Sequence, residues 1–284
     1  MAAFRLKHDL KGSRSRRISS EHQLLSRVRS DAIEVAAFRY YIDPDPMPAI
    51  TPHALIIKFP GTNCDAETAR ALEAAGFTAE VLPVALLEPS SLDKAKLVVF
   101  AGGFSYGDYV MSGRIAQLIT KHKLGERLKQ FVAEGGYAMG ICNGFQILPQ
   151  LDLRPRGSLV HKASGRFICR WTGLKKNADS PYLRGLPDDF ELPVAHAEGR
   201  FVGVADEAGE YLKNGRAALL YSSDINGSTH AIAGLQDETG RVFGLMPHPE
   251  RFISKANHYD PDWNGAEHGW GYYMFKSVRE AMAA

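Results

Sequence analysis

Gly140-Ile141-Cys142-Asn143-Gly144 stands between two short apolar runs, Tyr137-Ala138-Met139 and Phe145-Gln146-Ile147-Leu148. The pattern reads as strand, sharp turn and helix with a cysteine at the tip, the thiol form of a nucleophile elbow. A nucleophile on such a turn sits in strained backbone geometry, and larger residues two positions away on either side would clash. The turn aims the sulfur out of the sheet towards a helix N-terminus, where partial positive charge favours thiolate. The bland alternative is a strand-to-helix turn carrying a buried cysteine. Either way the pentapeptide demands a strand feeding directly into a helix, and so constrains the chain to an α/β architecture.

The flanking segments keep that rhythm. Ala54–Phe59, Ala79–Val84 and Leu97–Ala101 have strand length and apolar character without alternation, as strands buried on both faces do. Asp65–Ala75 has helical periodicity and stops at Gly76, and Arg114–Glu134 reads as one helix ended by Gly135-Gly136. Shorter apolar runs follow at Phe167–Trp171, Glu191–Ala195, Ala218–Tyr221, Ala231–Leu235 and Val242–Met246, expected as strands of mixed direction. Trp270–Ala283 reads as a closing helix. The fold class is α/β, an open, mostly parallel sheet flanked by helices.

Residues 1–50 read differently. The first 30 carry eight Lys/Arg and two Asp/Glu, a balance of +6 against +2 for all 284 residues, which leaves the remainder at −4. The stretch is rich in Ser and Arg and ends in Asp43-Pro44-Asp45-Pro46. It is expected to be a disordered or loosely helical extension outside the core, either a transit peptide or sequence upstream of a true start at Met47. The second reading is favoured, which makes residues 51–284 the working domain. The body offers no general basic surface for nucleic acid. Three cysteines, Cys64, Cys142 and Cys169, argue for a reducing compartment rather than a disulfide scaffold. No apolar run reaches the roughly 20 residues of a membrane span. The expected location is cytoplasmic.

A cysteine nucleophile needs a base, an orienter and a site for the developing oxyanion. His248 is the best base: Pro247 and Pro249 hold the chain extended around it, so that Glu250 falls on the same side and can orient the imidazole. The competing reading is a helix start with Pro249 in its first position. Gly102 and Gly103, after a strand, let backbone N–H groups approach a substrate oxygen. Cys64, near a helix start, reads as structural, and Cys169, alternating within Phe167–Trp171, as core. No His, Cys, Asp or Glu spacing resembles a metal site, and neither a G-x-x-x-x-G-K-[ST] loop nor a G-x-G-x-x-G fingerprint occurs.

Five segments together resemble the class I, triad-type glutamine amidotransferases: Phe59–Asp65, Gly102–Tyr109, Gly140–Leu148, Ala195–Phe201 and Met246–Arg251. Gly-Gly-Phe-Ser-Tyr-Gly-Asp-Tyr and Gly-Ile-Cys-Asn-Gly-Phe-Gln point more narrowly to the glutaminase subunits of phosphoribosylformylglycinamidine synthase, in purine biosynthesis. The resemblance implies a flavodoxin-like fold and a catalytic triad of Cys142, His248 and Glu250. It implies substrate contacts from Gly102, Gly103, Phe104, Asn143 and Gln146, with His196, Glu198 and Arg200 shaping the site or touching a partner. It further implies glutamine as substrate and a γ-glutamyl thioester intermediate. Ammonia would pass to a large synthetase subunit, with a small bridging subunit. No cofactor is expected in this chain, since ATP and Mg would serve the synthetase. The helix entry at Met111 and Gly113-Arg114-Ile115 departs from the family's pattern, and Pro149 falls where the helix after the elbow would run on. Rival readings are a PfpI-type thiol hydrolase, which carries His directly after the cysteine where this chain has Asn143, an amidotransferase of another pathway, and a non-catalytic module on the same fold.

Overall fold

The computed structural model describes residues 51–108, 111–153, 157–161, 167–203 and 207–283, and, as backbone, residues 14–17, 22–28 and 33–40. Two compact units divide the chain, Met1–Ile50 and Thr51–Ala284. In the first, β1 (Arg14–Arg17), β2 (His22–Val28) and β3 (Ile33–Tyr40) form an antiparallel sheet in chain order. Strands therefore stand where irregular or loosely helical chain was expected. The β2 and β3 sequences, His-Gln-Leu-Leu-Ser-Arg-Val and Ile-Glu-Val-Ala-Ala-Phe-Arg-Tyr, are rich enough in branched and aromatic residues to pair despite the surrounding basic residues.

In the second unit the chain runs β4 (His53–Lys58), α1 (Asp65–Ala74), β5 (Thr78–Pro83), β6 (Leu97–Phe100), α2 (Arg114–Lys123), α3 (Gly125–Ala133), β7 (Tyr137–Ile141) and α4 (Asn143–Ile147). It continues through β8 (Ser158–His161), β9 (Ile168–Lys176), β10 (Asp189–His196), β11 (Glu198–Val202), α5 (Glu207–Lys213), β12 (Leu219–Tyr221), β13 (Ile232–Gln236), β14 (Val242–Leu245) and α6 (Trp270–Ala281). Nine strands make one sheet in the order β10-β9-β12-β13-β14-β7-β6-β4-β5. The run β5-β4-β6-β7-β14 is parallel, and the remaining pairings are antiparallel. Counted by sequence, the parallel strands lie 2-1-3-4-5, the flavodoxin-like order, in which sites form beyond the carboxyl ends of the strands.

Alternate residues of the central strands feed two cores. Ala54, Ile56, Leu97 and Val99 enter one, while Leu55, Ile57, Val98 and Phe100 enter the other, on the opposite face. This is why β4 and β6 read as unbroken apolar runs. Each Val, Leu, Ile or Phe side chain among them contributes about 1.5–3 kcal/mol by leaving water.

The helix expected over 114–134 is two helices. Gly125 takes φ +42, which breaks the ladder between α2 and α3. After the elbow, α4 stops at Ile147 and a 3₁₀ turn, Leu148–Leu151, takes over with Pro149 near its start. β8, β11 and α5 were not anticipated; β8 and β11 form a separate two-stranded sheet. Among the described residues no helix is long and apolar enough to cross a membrane.

Candidate active site

Cys142 caps α4 with φ 51 and ψ −106, a conformation that non-glycine residues avoid at about 1–3 kcal/mol. The two glycines of the elbow make that geometry possible through close approach. A Cβ on Gly144 would lie 1.8 Å from the Phe100 carbonyl oxygen, and one on Gly140 would lie 2.6 Å from the Gly144 oxygen. The Cys142 N–H donates to Leu245 O at 2.8 Å, which ties the tip of the elbow to the end of β14. The sulfur is nearly buried and stands 3.7 Å from Ala195 O.

His248 follows β14 and is fixed by its own N–H, which donates to Pro193 O at 2.8 Å. Its Nδ1 lies 2.6 Å from Glu250 Oε1, with both side chains buried. With Nδ1–H donated to the carboxylate, Nε2 is the ring nitrogen left to accept a proton. The pair forms, but not through an extended segment. Pro249–Arg251 is a 3₁₀ turn with Pro249 in its first position, so the helix-start reading is also right, and the turn folds Glu250 back onto the imidazole. Burial by itself disfavours the imidazolium, but the Glu250 carboxylate and the Cys142 and Cys64 sulfurs outweigh it and hold the His248 pKa well above the usual histidine range.

Gly102 and Gly103 lie at the carboxyl end of β6, pinned to the loop after β4. Cys64 N–H donates to Gly102 O at 3.2 Å, and Phe104 N–H to Gly61 O at 3.0 Å. A Cβ on Gly103 would come within 2.7 Å of Asn63 N, so the two loops lie backbone against backbone. Gly102 packs under His248: its Cβ would sit 2.9 Å from Cε1.

Asn143 and Gln146 are tied into the wall of the site. The Asn143 Oδ1 accepts from Ser105 N–H at 3.2 Å, and its Nδ2 donates to Asp108 Oδ1 at 3.2 Å and Gln146 Oε1 at 2.9 Å. Gln146 Nε2 donates to Glu198 O, and Glu198 Oε2 accepts from Ser112 N–H at 3.1 Å. A cavity of about 290 Å³ opens over Cys142, walled by Gly103, Phe104, Gln146, His196 and Glu198.

Of the residues singled out in the sequence, Arg200 does not reach this cavity wall; its Nε donates to Gly227 O at 2.9 Å and braces a neighbouring loop. Cys169 is exposed rather than core, because β9 shows that face of the strand to solvent. Cys64 is buried, and its sulfur accepts from Arg251 Nη2 at 3.2 Å. Asp108, Ser112, Ala195 and Ala197 also wall the cavity. Asp108 lies inside the Gly102–Tyr109 segment, but nothing in its spacing marks it as a site residue. Burial raises its pKa, opposed by hydrogen bonds from Gly113 N–H, Ser112 and Asn143, with the Glu198 charge adding to the rise.

Residues 51–280 match the family model of the CobB/CobQ-like glutamine amidotransferase domain. The phosphoribosylformylglycinamidine synthase subunit PurQ of Dehalococcoides mccartyi is 40% identical over 79% of this chain and 95% of its own. The protein of the same name from Zymomonas mobilis is 40% identical over 81% of this chain and 99% of its own. Among solved structures, a chain of PurLQS from Thermotoga maritima aligns with TM-score 0.69 and 34% identity, over 82% of this chain and 99% of that one. On this footing the chain belongs to the glutamine amidotransferases, and among them to the PurQ family.

Proposed function

We propose that this chain is the glutaminase subunit of a phosphoribosylformylglycinamidine synthase, with Cys142, His248 and Glu250 as its catalytic triad. The observation that carries the reading is the strained Cys142 facing a cavity, with a buried His248–Glu250 pair 2.6 Å apart behind it. Cys142 passes its thiol proton to His248 Nε2 as Sγ attacks the side-chain amide carbon of glutamine, and the carbonyl electrons move onto oxygen. The backbone N–H groups of Gly103 and Asn143 receive that oxyanion. As it collapses, the C–N bond breaks and His248 gives its proton to the departing ammonia. The γ-glutamyl thioester is then attacked by water, whose proton His248 accepts. The C–S bond breaks, glutamate leaves and the thiol is restored. Gln146 holds the substrate, Gly102 and Phe104 shape the wall beside it, and His196 and Glu198 close the cavity. Glu250 keeps the imidazole in one tautomer and stabilises its charge.

Ammonia released into water at neutral pH is mostly protonated and no longer nucleophilic. It is therefore passed directly to a synthetase subunit that binds formylglycinamide ribonucleotide and, with ATP and Mg²⁺, forms the amidine. The PurQ names of the relatives, and the assembly named in the Thermotoga maritima structure, support a large synthetase partner and a small bridging subunit.

A glutamine-analogue diazo-ketone tests the site. Label on Cys142 that spares Cys64 and Cys169 is expected; label on Cys64, or full glutaminase activity in Cys142→Ala, refutes the assignment. Glutamine hydrolysis measured with and without the synthetase chain, its nucleotides and its acceptor tests the partnership. Stimulation and co-elution in gel filtration are expected. Equal rates with no complex would overturn it.

A further inference from the structure

Cys64, His248 and Glu250 come from two loops far apart in sequence, yet one ligand atom from each lies within 4.8 Å of the other two. All three are buried, with residue exposures of 1%, 1% and 4%. Thiol, imidazole and carboxylate are the donors that zinc takes, and a three-residue set with one open position suits it. A zinc ion bonded at about 2.0–2.3 Å holds tetrahedral ligands about 3.3–3.8 Å apart, so closure on the ion needs side-chain shifts of about 1 Å. Two further observations point to a ligand. Glu250 Oε2 is buried and has no hydrogen-bond partner, its other oxygen being the one that meets His248. A second cavity, of about 310 Å³, reaches Glu250 between Glu67, Arg70, Arg251 and Asn257, on a wall distinct from the one over Cys142. Arg251 Nη2 meets the Cys64 sulfur at 3.2 Å, and Glu67 stands 3.5 Å from Arg251 Nε to take the guanidinium when it yields to an ion.

We propose that Cys64, His248 and Glu250 form an inhibitory site for a thiophilic divalent cation, Zn²⁺ above all, entered from behind the catalytic triad. Binding releases the Cys64 thiol proton to water and moves the imidazole proton from Nδ1 to Nε2, with no change of oxidation state. A water molecule fills the fourth position. The ion takes the imidazole nitrogen that now meets Glu250, so the base loses its orienter and turnover stops. The inhibition rests on the assignment of His248 as base, whereas the binding itself does not.

Cobalt reads the site directly. The full chain carrying Cys142→Ala, titrated with Co²⁺, is expected to develop a thiolate-to-cobalt charge-transfer band in the near ultraviolet. That band should vanish in the Cys142→Ala/Cys64→Ala double variant. A band that depends on Cys142 instead, or no band in Cys142→Ala, overturns the proposal. With the synthetase complex, the Zn²⁺ concentration for half-inhibition of glutaminase should rise at least about tenfold in Cys64→Ser, as losing one of three ligands requires. Equal sensitivity would refute the inhibitory role. If Cys64 variants do not fold, the melting temperature of Cys142→Ala with Zn²⁺ decides: a rise reversed by chelator is expected, and no rise overturns the site. A chain without glutaminase activity would still show the cobalt band, so failure of the functional reading is distinguishable.

Discussion

A methyl group at Gly144 would stand 1.8 Å from the Phe100 carbonyl oxygen and 2.5 Å from its carbon, and these are backbone atoms that cannot swing away. Gly144→Ala is therefore expected to cost more than about 3 kcal/mol in denaturant unfolding, with glutaminase activity lost alongside. Asp108 makes a subtler case. Burial lifts its folded-state pKa above the ordinary carboxylate value, so the folded protein binds this proton more readily than the unfolded chain. The sign follows: the carboxylate penalises folding above the raised pKa, and the penalty fades as pH falls through the usual range near about 4. Asp108→Asn keeps an oxygen for Gly113 N–H and Asn143. Its melting temperature should exceed that of the wild type at pH 7, with the gap closing towards pH 4. A gap independent of pH would refute this account.

Elements are joined here by side chains that reach between strands. Tyr182 is fully buried, stacks on Phe243 at 4.8 Å, and points its hydroxyl at Arg241 O (3.0 Å) and Ala138 O (3.2 Å), at the starts of β14 and β7. Those strands carry His248 and Cys142 at their far ends. Tyr182→Phe is expected to lose about 1–2 kcal/mol in urea unfolding, the cost of leaving a buried carbonyl underserved. Because β7 and β14 stay paired, the arrangement of Cys142, His248 and Glu250 should survive, and glutaminase kcat at 25 °C should change less than about twofold. A large kcat loss with unchanged stability would show that the hydroxyl tunes the site rather than the sheet.

For the whole molecule, both cores of the described structure are drawn from residues after 50, and the family match begins at 51. A chain begun at Met47 is expected to melt as the full chain does and to keep its glutaminase activity in the complex. Loss of soluble protein, or of activity on adding the synthetase, would show that the preceding residues belong to the working enzyme.

The parallel half of the sheet and the elbow at Cys142 were already written in the chain's local pattern. Unalternating runs such as Ala54–Phe59 admit only strands covered on both faces, and Gly140 and Gly144 around Cys142 admit only a tight elbow. His248 and Glu250 were legible as a pair because two positions in one chain cannot separate far. Their route together was not: a 3₁₀ turn and an extended segment both bring them close, and the packing of Pro249 chose the turn. The break at Gly125 escaped notice because an isolated glycine in a helical pattern costs little until its φ turns positive. Cys169 was misplaced because alternation tells which residues share a face and not which face meets water. Only the tertiary structure put Asp108 and Glu198 into the wall over Cys142, sent Arg200 to Gly227, and set Cys64 beside His248 and Glu250. Cys64, Asp108, His248 and Glu250 stand on loops at the carboxyl ends of parallel strands, while Glu198 and Arg200 come from the separate β8–β11 sheet, and strand order, invisible in any local pattern, decides which of them meet.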